Sequence, residues 1–266
     1  MPRRHLIVIL AAVVALLAAG CGSSSSSSSA SGSASGQAAA KPTLVVSAAA
    51  SLQAAFTKYG SQFPVATSRF SFAGSDMLAA QIEQGARPDV FASANTKLPD
   101  ALYAKGLVAK PVTFAANKLV LAVPATSKIT SLAGVEKSGV TLVIGSAAVP
   151  IGIYTRKVLA KLGAASSAKI LANVRSNEPD VSGIVGKLTQ GAADAGFTYV
   201  TDVKATGGKL KAIALPASLQ PVVAYGAAVV KGSGHQAQAE KFIAGLLNGT
   251  GHADLAQAGF LPPPRK

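Results

Sequence analysis

Two serines, Ser51 and Ser75, stand at similar junctions in the first part of this chain of 266 residues. Each follows a strand-forming run and a few small residues, and each precedes apolar residues at helical spacing. Such a junction presents a hydroxyl, free backbone N–H groups and the positive end of a helix dipole, which together bind anions. No Lys, Arg or His stands in residues 44–52, so the donors there are neutral. Ser51 is equally well placed as an N-cap that binds nothing, and both uses stay open here.

Further donors are predicted at other strand ends. Tyr199 ends a strand pattern, and the loop 149–152 and Val181 lie at strand–helix junctions. In open α/β sheets, ligands bind at the carboxyl ends of the strands. A tetrahedral dianion needs several N–H and O–H donors, which Ser51, Ser75, Tyr199 and backbone N–H groups would supply. Tyr199 also has a structural alternative, in which its ring packs in the core and its hydroxyl meets solvent.

Residues for catalysis are sparse in this sequence. Of the three histidines, His5 lies in a predicted export signal, and His235 and His252 flank the last predicted helix. The 11 acidic residues suggest no acid–base pair, and no G-x-S-x-G, H-E-x-x-H, phosphate-loop or CxxC motif is present. We therefore expect a binding protein with no cofactor and no directly bound metal cation. An exported enzyme on the same fold is the alternative from another class.

The net charge of +14 is dispersed along the chain. No basic run is interleaved with aromatic residues, so the sequence does not predict a nucleic-acid groove. The positive charge would attract small anions at long range or keep the protein soluble near an acidic cell envelope. Both uses of the charge stay open.

Strand and helix patterns alternate from about residue 42 onward, which predicts α/β lobes with mostly parallel sheets. Strong strand patterns at 119–123 and 222–230 flank a middle block that we expect to form one lobe. Within that block, we expect a helix start with Asn177 as its cap. The predicted division is residues 42–122 and 223–266 for lobe 1, and residues 123–222 for lobe 2.

The N-terminus has the pattern of an export signal. Arg3 and Arg4 precede an apolar segment that is short for a membrane span, and Cys21, the only cysteine, follows small residues. This resembles a bacterial lipobox, in which the cysteine is lipidated, although Ala18 stands where Leu is usual. An ordinary signal peptide with an incidental cysteine is the alternative. We predict a lipoprotein signal peptide at residues 1–21 and a flexible Ser/Ala/Gly-rich tether at residues 22–41.

Short motifs in a particular order and spacing are the most specific feature of the chain. They are A-A-A-S-L at 48–52, F-A-G-S at 72–75, G-A-R-P-D-V-F-A-S-A at 85–94, N-K-L-V at 117–120, V-P-I-G-I-Y at 149–154, D-V at 180–181, G-A-A-D-A-G-F-T-Y at 191–199 and G-F at 259–260. With this set, the chain resembles the substrate-binding proteins of molybdate ABC transporters. The resemblance covers nearly all of residues 43–260.

The resemblance implies a two-lobed, type II periplasmic-binding-protein fold that closes over a tetrahedral oxyanion. Carried over by position, Ser51 and Ser75 would donate hydroxyls from one lobe. Ile151 and Val181 would donate backbone N–H groups from the other lobe, and Tyr199 would donate its hydroxyl. The implied protein is a monomer, lipid-anchored on the outer face of the cell membrane through Cys21. It would capture molybdate, and also tungstate, and deliver it to an ABC permease.

Two departures from the family pattern bear on the ligand. Ile151 stands where Ala is usual, which is tolerable if only its N–H is used. Asp76 stands where a small residue is frequent, and a carboxylate there would repel a dianion unless it points away. It either interacts with its helix dipole and faces solvent, or it accepts a hydrogen bond from a protonated oxyanion such as hydrogen phosphate. A receptor for sulfate, phosphate or another oxyanion is therefore the alternative within the same class.

Overall fold

Two five-stranded sheets organise residues 40–265, the part of the chain that the computed structural model describes. The predicted signal peptide, Cys21 and nearly all of the predicted tether lie outside the described residues. The strands are β1 (Thr43–Ala49), β2 (Thr67–Ala73), β3 (Val90–Ser93), β4 (Val112–Asn117), β5 (Leu119–Pro124), β6 (Leu142–Gly145), β7 (Val174–Glu178), β8 (Ala195–Tyr199), β9 (Leu210–Ala214) and β10 (Val223–Val229).

The helices flank both sheets. They are α1 (Gln53–Gln62), α2 (Ser75–Glu83), α3 (Lys97–Ala104), α4 (Pro150–Leu162), α5 (Ala164–Ala172), α6 (Val181–Thr189), α7 (Val200–Ala205), α8 (Gln236–Asn248) and α9 (Thr250–Ala258). Short 3₁₀ turns cover Ala50–Leu52, Leu132–Glu136 and Ala217–Leu219. Within residues 40–265, no helix is both long enough and apolar enough to span a membrane.

The two sheets have the same plan. The first has the order β2-β1-β3-β10-β4, and the second has the order β7-β6-β8-β5-β9. In each, four strands run in one direction, while β10 or β5 runs antiparallel to both of its neighbours. The prediction of mostly parallel sheets is thus confirmed. Because their strands share a direction, the carboxyl ends of β1, β2 and β3 meet at one edge, as do those of β6, β7 and β8.

The chain crosses between the sheets at two places. The first crossing is Lys118, between β4 in the first sheet and β5 in the second; the return lies between β9 and β10. The predicted boundary after residue 122 is wrong, since the whole of β5 pairs with β8 and β9. Its apolar run fits a central strand of either sheet, so hydropathy alone did not assign it. The Gln220 side chain ties the crossings together, since Nε2 donates to the Leu119 carbonyl at 2.8 Å and Oε1 accepts from the Leu119 N–H at 3.3 Å.

An aromatic cluster holds α1 against the first sheet. The Phe56 ring of α1 lies 5.6 Å from Phe242 of α8, edge to face, and 6.0 Å from Phe114 of β4. All three side chains are buried. Aromatic pairs of this kind each stabilise a fold by about 0.5–1.5 kcal/mol beyond the area that they bury. Because α1 begins two residues after Ser51, this packing helps to hold that serine beyond the end of β1.

In the second sheet, a close backbone approach places the start of α4. A Cβ atom at Gly152 would lie 1.8 Å from the Ser146 carbonyl oxygen, so only glycine fits there. The first turn of α4 therefore lies directly against the chain that leaves β6. On the next turn, Arg156 Nη1 donates to the Gly145 carbonyl at 3.0 Å and tethers the helix to the end of the strand.

Candidate oxyanion-binding site

A small cavity of about 20 Å³ lies between the strand ends of the two sheets. Its lining includes all five predicted site residues, from both lobes. The lining residues are Ala49, Ala50, Ser51, Ala73, Gly74, Ser75, Ala94, Val149, Pro150, Ile151, Asp180, Val181 and Tyr199. A single water needs roughly 10–15 Å³ of such volume. The cavity therefore has the size of a small inorganic ion.

Ser51 is not the helix N-cap that the sequence allowed. It lies in the 3₁₀ turn Ala50–Leu52, which intervenes between β1 and α1, and no side-chain cap is formed there. Its Oγ lies 2.9 Å from the hydroxyl of Tyr225, which also accepts from Asn117 Nδ2 at 3.4 Å. Either hydroxyl can donate in this pair. When a ligand in the cavity accepts the hydrogen of Ser51, the hydrogen of Tyr225 is the one shared with Ser51.

The Ser75 hydroxyl can also donate into the cavity, and its oxygen has a different partner. It is the first residue of α2, with Gly74 as the N-cap, and it is 1% exposed. Its Oγ accepts the backbone N–H of Ala94, the residue after β3, at 3.0 Å. Because a hydroxyl that accepts in this way keeps its own hydrogen, Ser75 is also a donor toward the cavity.

Tyr199 contributes a hydroxyl from the second lobe. It ends β8 and is 1% exposed, and its hydroxyl oxygen is buried with no hydrogen-bond partner among the described residues. Burial raises the pKa of Tyr199 well above its usual value, so the phenol stays protonated and acts as a donor. The alternative in which this hydroxyl meets solvent is wrong. A buried donor left unpaired costs about 1–3 kcal/mol, which a bound acceptor would recover.

Two helix starts add backbone donors from the second lobe. Ile151 is the second residue of α4, after Pro150, and Val181 is the first residue of α6. Both residues are buried and line the cavity. N–H groups in the first turn of a helix have no partner within the helix, and they carry its positive dipole end. The cavity is thus lined by Ile151 and Val181 from one lobe and by the two serines from the other.

The cap of α6 is Asp180 and not Asn177. Asn177 lies in β7, opposite Ile144 of β6, so the residues before the proline continue the sheet. Asp180 Oδ1 accepts from the N–H groups of Ser182 at 2.8 Å and Gly183 at 3.2 Å. The carboxylate is thereby bound to its own helix, and the Val181 N–H takes no part in this cap.

The cavity is lined by neutral donors. No Lys, Arg or His stands among its lining residues, and the one carboxylate there, Asp180, accepts from its helix. Behind the cavity, burial raises the pKa of Asp202 to about 7; the Tyr199 N–H that donates to this carboxyl at 2.9 Å lowers it, and the charge of Asp180 raises it. An arrangement of hydroxyl and N–H dipoles stabilises an anion without a counter-charge.

Asp76 does not line the cavity. Its side chain is half-buried, and Oδ1 is buried without a partner among the described residues. A Cβ built on Gly74 would lie 2.9 Å from this Oδ1 and 2.5 Å from the carbonyl oxygen of Pro179, in the other lobe. The carboxylate thus lies along the contact between the lobes.

Sequence reasoning missed the partners that orient the donors. Tyr225 lies in β10 and is fully buried, so a core tyrosine in a strand was all that its pattern indicated. Ala94 acts through its backbone, which leaves no signal in residue type. Asn117 was noted only as part of a motif. Within the described residues, no three His, Cys, Asp or Glu side chains are grouped to hold a metal ion.

The fold and the site define a two-lobed α/β protein with a small donor-lined cavity between its lobes, and the comparisons give its family. Residues 44–261 match the family described as bacterial extracellular solute-binding protein, and the chain belongs to that family. The molybdate-binding protein ModA of Mycobacterium tuberculosis (strain ATCC 25618 / H37Rv) is 38% identical over 228 residues, which cover 83% of this chain and 85% of that protein. The resemblance found in the motifs is therefore confirmed, as is the expectation of a binding protein rather than an enzyme.

Two solved structures show the same fold. The periplasmic molybdate-binding protein of Azotobacter vinelandii has a TM-score of 0.75 and 23% identity, over 83% of this chain and 100% of that one. The sulfate-binding protein SubI of Mycobacterium tuberculosis H37Rv has a TM-score of 0.71 and 16% identity, over 83% of this chain and 87% of that one. The predicted two-lobed α/β fold is confirmed.

Proposed function

We propose that this protein captures molybdate, and also tungstate, outside the cytoplasm and delivers it to an ABC permease. The observation that carries the proposal is the buried Tyr199 hydroxyl, which lines the cavity and has no partner among the described residues. Ser51 and Ser75 line the same cavity. The Ala94 N–H donates to the oxygen of Ser75, and Ser51 can turn its hydrogen toward a ligand when Tyr225 donates to it. A ligand that only accepts hydrogen bonds satisfies all three hydroxyls.

The donor set favours a fully ionised dianion over a protonated one. Hydrogen phosphate must donate one hydrogen bond, and it needs a free acceptor in the cavity. The lining carboxylate of Asp180 is held by two N–H groups of its helix, and Asp76 Oδ1 lies at the lobe contact outside the lining. Specificity of this kind arises from leaving the wrong ligand with an unsatisfied group.

Molybdate is favoured over sulfate by relatedness. A protein that is named for molybdate binding is 38% identical to this chain, whereas the sulfate-binding protein shares the fold at 16% identity. Sulfate is the second candidate, because any tetrahedral dianion presents the same four acceptor oxygens. Tungstate is included because it matches molybdate in charge and shape.

The proposal includes a lipid anchor at Cys21 and a flexible tether that carries a monomeric receptor. It is supported by the lipobox-like residues 17–21 and by the low-complexity segment that follows them. Cys21→Ala tests it: we expect the variant to leave the membrane fraction and the lipid-modified mass to vanish. Membrane retention of the variant would contradict the anchor while leaving the ligand proposal intact.

Calorimetry with molybdate, tungstate, sulfate and phosphate tests the ligand. We expect tight binding of the first two and much weaker binding of the others. Tyr199→Phe should weaken molybdate binding by on the order of 1–3 kcal/mol, because one oxyanion oxygen loses its donor. Tyr103→Phe is the matched control, since Tyr103 is 47% exposed. Absence of binding by both molybdate and tungstate would overturn the proposal.

A further inference from the structure

Tyr154 reaches across the cleft from one lobe to the other. It lies on α4, three residues after Ile151, and is 5% exposed. Its hydroxyl donates to the carbonyl oxygen of Ala94, which follows β3 in the first lobe, at 3.3 Å in a buried setting. The residue is absent from the lining of the anion cavity. Its contact therefore joins the lobes without using the ligand.

The Tyr154 hydroxyl also lies at the end of the pairing between β3 and β10. β3 and β10 pair as far as Ser93 and Gly226, and the Tyr154 oxygen lies just beyond this last pair. Burial raises the pKa of Tyr154 to about 12, and the nearby backbone of Ala224 in β10 lowers it. Because the phenol stays protonated, it continues to donate to Ala94.

Ala94 connects this contact to the anion site. Its N–H donates to Ser75 Oγ at 3.0 Å, and its carbonyl accepts from Tyr154 at 3.3 Å. The residue that directs the Ser75 hydroxyl is therefore the same residue that holds α4. The start of α4 supplies the Ile151 N–H on the opposite side of the cavity.

We propose that Tyr154 is an interlobe latch, a positioning residue that holds the Ile151 N–H and the Ser75 hydroxyl at the spacing of one anion. The identity of that anion rests on the proposed function, whereas the latch itself does not. Without the hydroxyl, the lobes keep their folds but close less often, and a bound anion leaves faster. A ligand whose binding-competent state is less populated binds more weakly by the same factor.

Tyr154→Phe isolates the hydroxyl. The ring, which meets Tyr199 edge to face at 6.3 Å, is retained in this variant. Tyr59→Phe is the matched control: Tyr59 is also buried and donates to a backbone carbonyl, that of Phe242, at 3.1 Å, but both partners lie in the first lobe. Loss of either hydrogen bond lowers stability by a similar amount. Only the loss of the Tyr154 hydrogen bond removes a link between the lobes.

Calorimetry and small-angle X-ray scattering on the purified protein test the latch. We expect Tyr154→Phe to weaken molybdate binding about five- to tenfold and to increase the radius of gyration of the ligand-free protein. Tyr59→Phe should lower the melting temperature and leave both quantities unchanged. Wild-type affinity and radius for Tyr154→Phe, or an equal loss of affinity in Tyr59→Phe, would overturn the latch. If the wild type binds none of the four oxyanions, the proposed function fails, and the ligand-free radii alone decide on the latch.

Discussion

Ser51 and Tyr225 share a hydrogen bond between hydroxyl oxygens 2.9 Å apart, although 174 residues separate them in sequence. Because Asn117 Nδ2 donates to the same Tyr225 oxygen, the three groups form a hydrogen-bonded chain that can present the hydrogen of Ser51 to the cavity. Asn117 lies beside the first crossing between the lobes and also donates to Thr201 Oγ1 at 2.9 Å. The residues that orient the Ser51 hydroxyl therefore include one next to the first crossing between the lobes.

Tyr225→Phe should weaken molybdate binding about three- to tenfold, because Ser51 loses the hydrogen-bond partner that orients its hydroxyl. The Asn117 amide keeps its bond to Thr201, so we expect the fold to survive. Calorimetry of the variant beside Tyr103→Phe measures the effect. Unchanged affinity would mean that Ser51 orients without Tyr225.

Ser51→Ala and Ser75→Ala should each weaken binding by on the order of 1–3 kcal/mol, since each leaves an oxyanion oxygen without a donor. The two variants should differ in stability. Ser75→Ala also strips the buried Ala94 N–H of its acceptor, so its melting temperature should fall further. Calorimetry and thermal unfolding separate the two effects, and wild-type affinity in both variants would remove these serines from the site.

Gly74→Ala should fold normally yet bind molybdate at least about tenfold more weakly. The backbone of Gly74 has φ −58° and ψ 133°, which alanine adopts freely, but its Cβ would lie 2.5 Å from the Pro179 carbonyl in the opposite lobe. The added methyl group therefore opposes closure. Gly186→Ala is the control, since no atom lies within 4 Å of its Cβ position inside α6, and it should stabilise the fold by about 0.5–1 kcal/mol. Equal affinities in the two variants would contradict the closure argument.

Asp202 makes stability depend on pH. Burial raises its pKa from 3.8 to about 7, so folding favours the protonated form. Its stabilising contribution is complete below the unfolded pKa and is lost as the pH rises through about 7. The free energy of unfolding should therefore increase, by on the order of 1 kcal/mol, from about pH 8 to about pH 5.5. Urea titrations at several pH values measure this slope, and Asp202→Asn should flatten it; a slope of opposite sign in the wild type would refute the assignment.

Asp76→Ser should leave molybdate affinity unchanged or raise it, because the carboxylate lies along the lobe contact and its removal lessens repulsion of a dianion. Asp76→Asn, which keeps the shape, provides the matched comparison. A clear loss of affinity in the serine variant alone would assign a packing role to the longer side chain. A loss in both variants would show that the ionised carboxylate supports binding.

The sequence brings the candidate donors to one cavity because they lie at strand ends, where local patterns are strong. Ser51, Ser75 and Tyr199 each follow or end an apolar run, and these positions converge once the strands share a direction. The residues that orient these hydroxyls could not be predicted from the sequence, since Tyr225 meets Ser51 only because β10 pairs with β3. The first lobe boundary was misplaced for a related reason: β5 is apolar throughout, and nothing local shows which sheet it joins.

The clasp between Gln220 and Leu119 binds the two crossing segments side by side. Because the two crossing segments are hydrogen-bonded to each other, we expect them to move together and to resist shear or twist between the lobes. We therefore expect the lobes to open mainly by rotation about one axis near these segments. Since the candidate donors are divided between the two lobes, such a rotation would withdraw one half of them together.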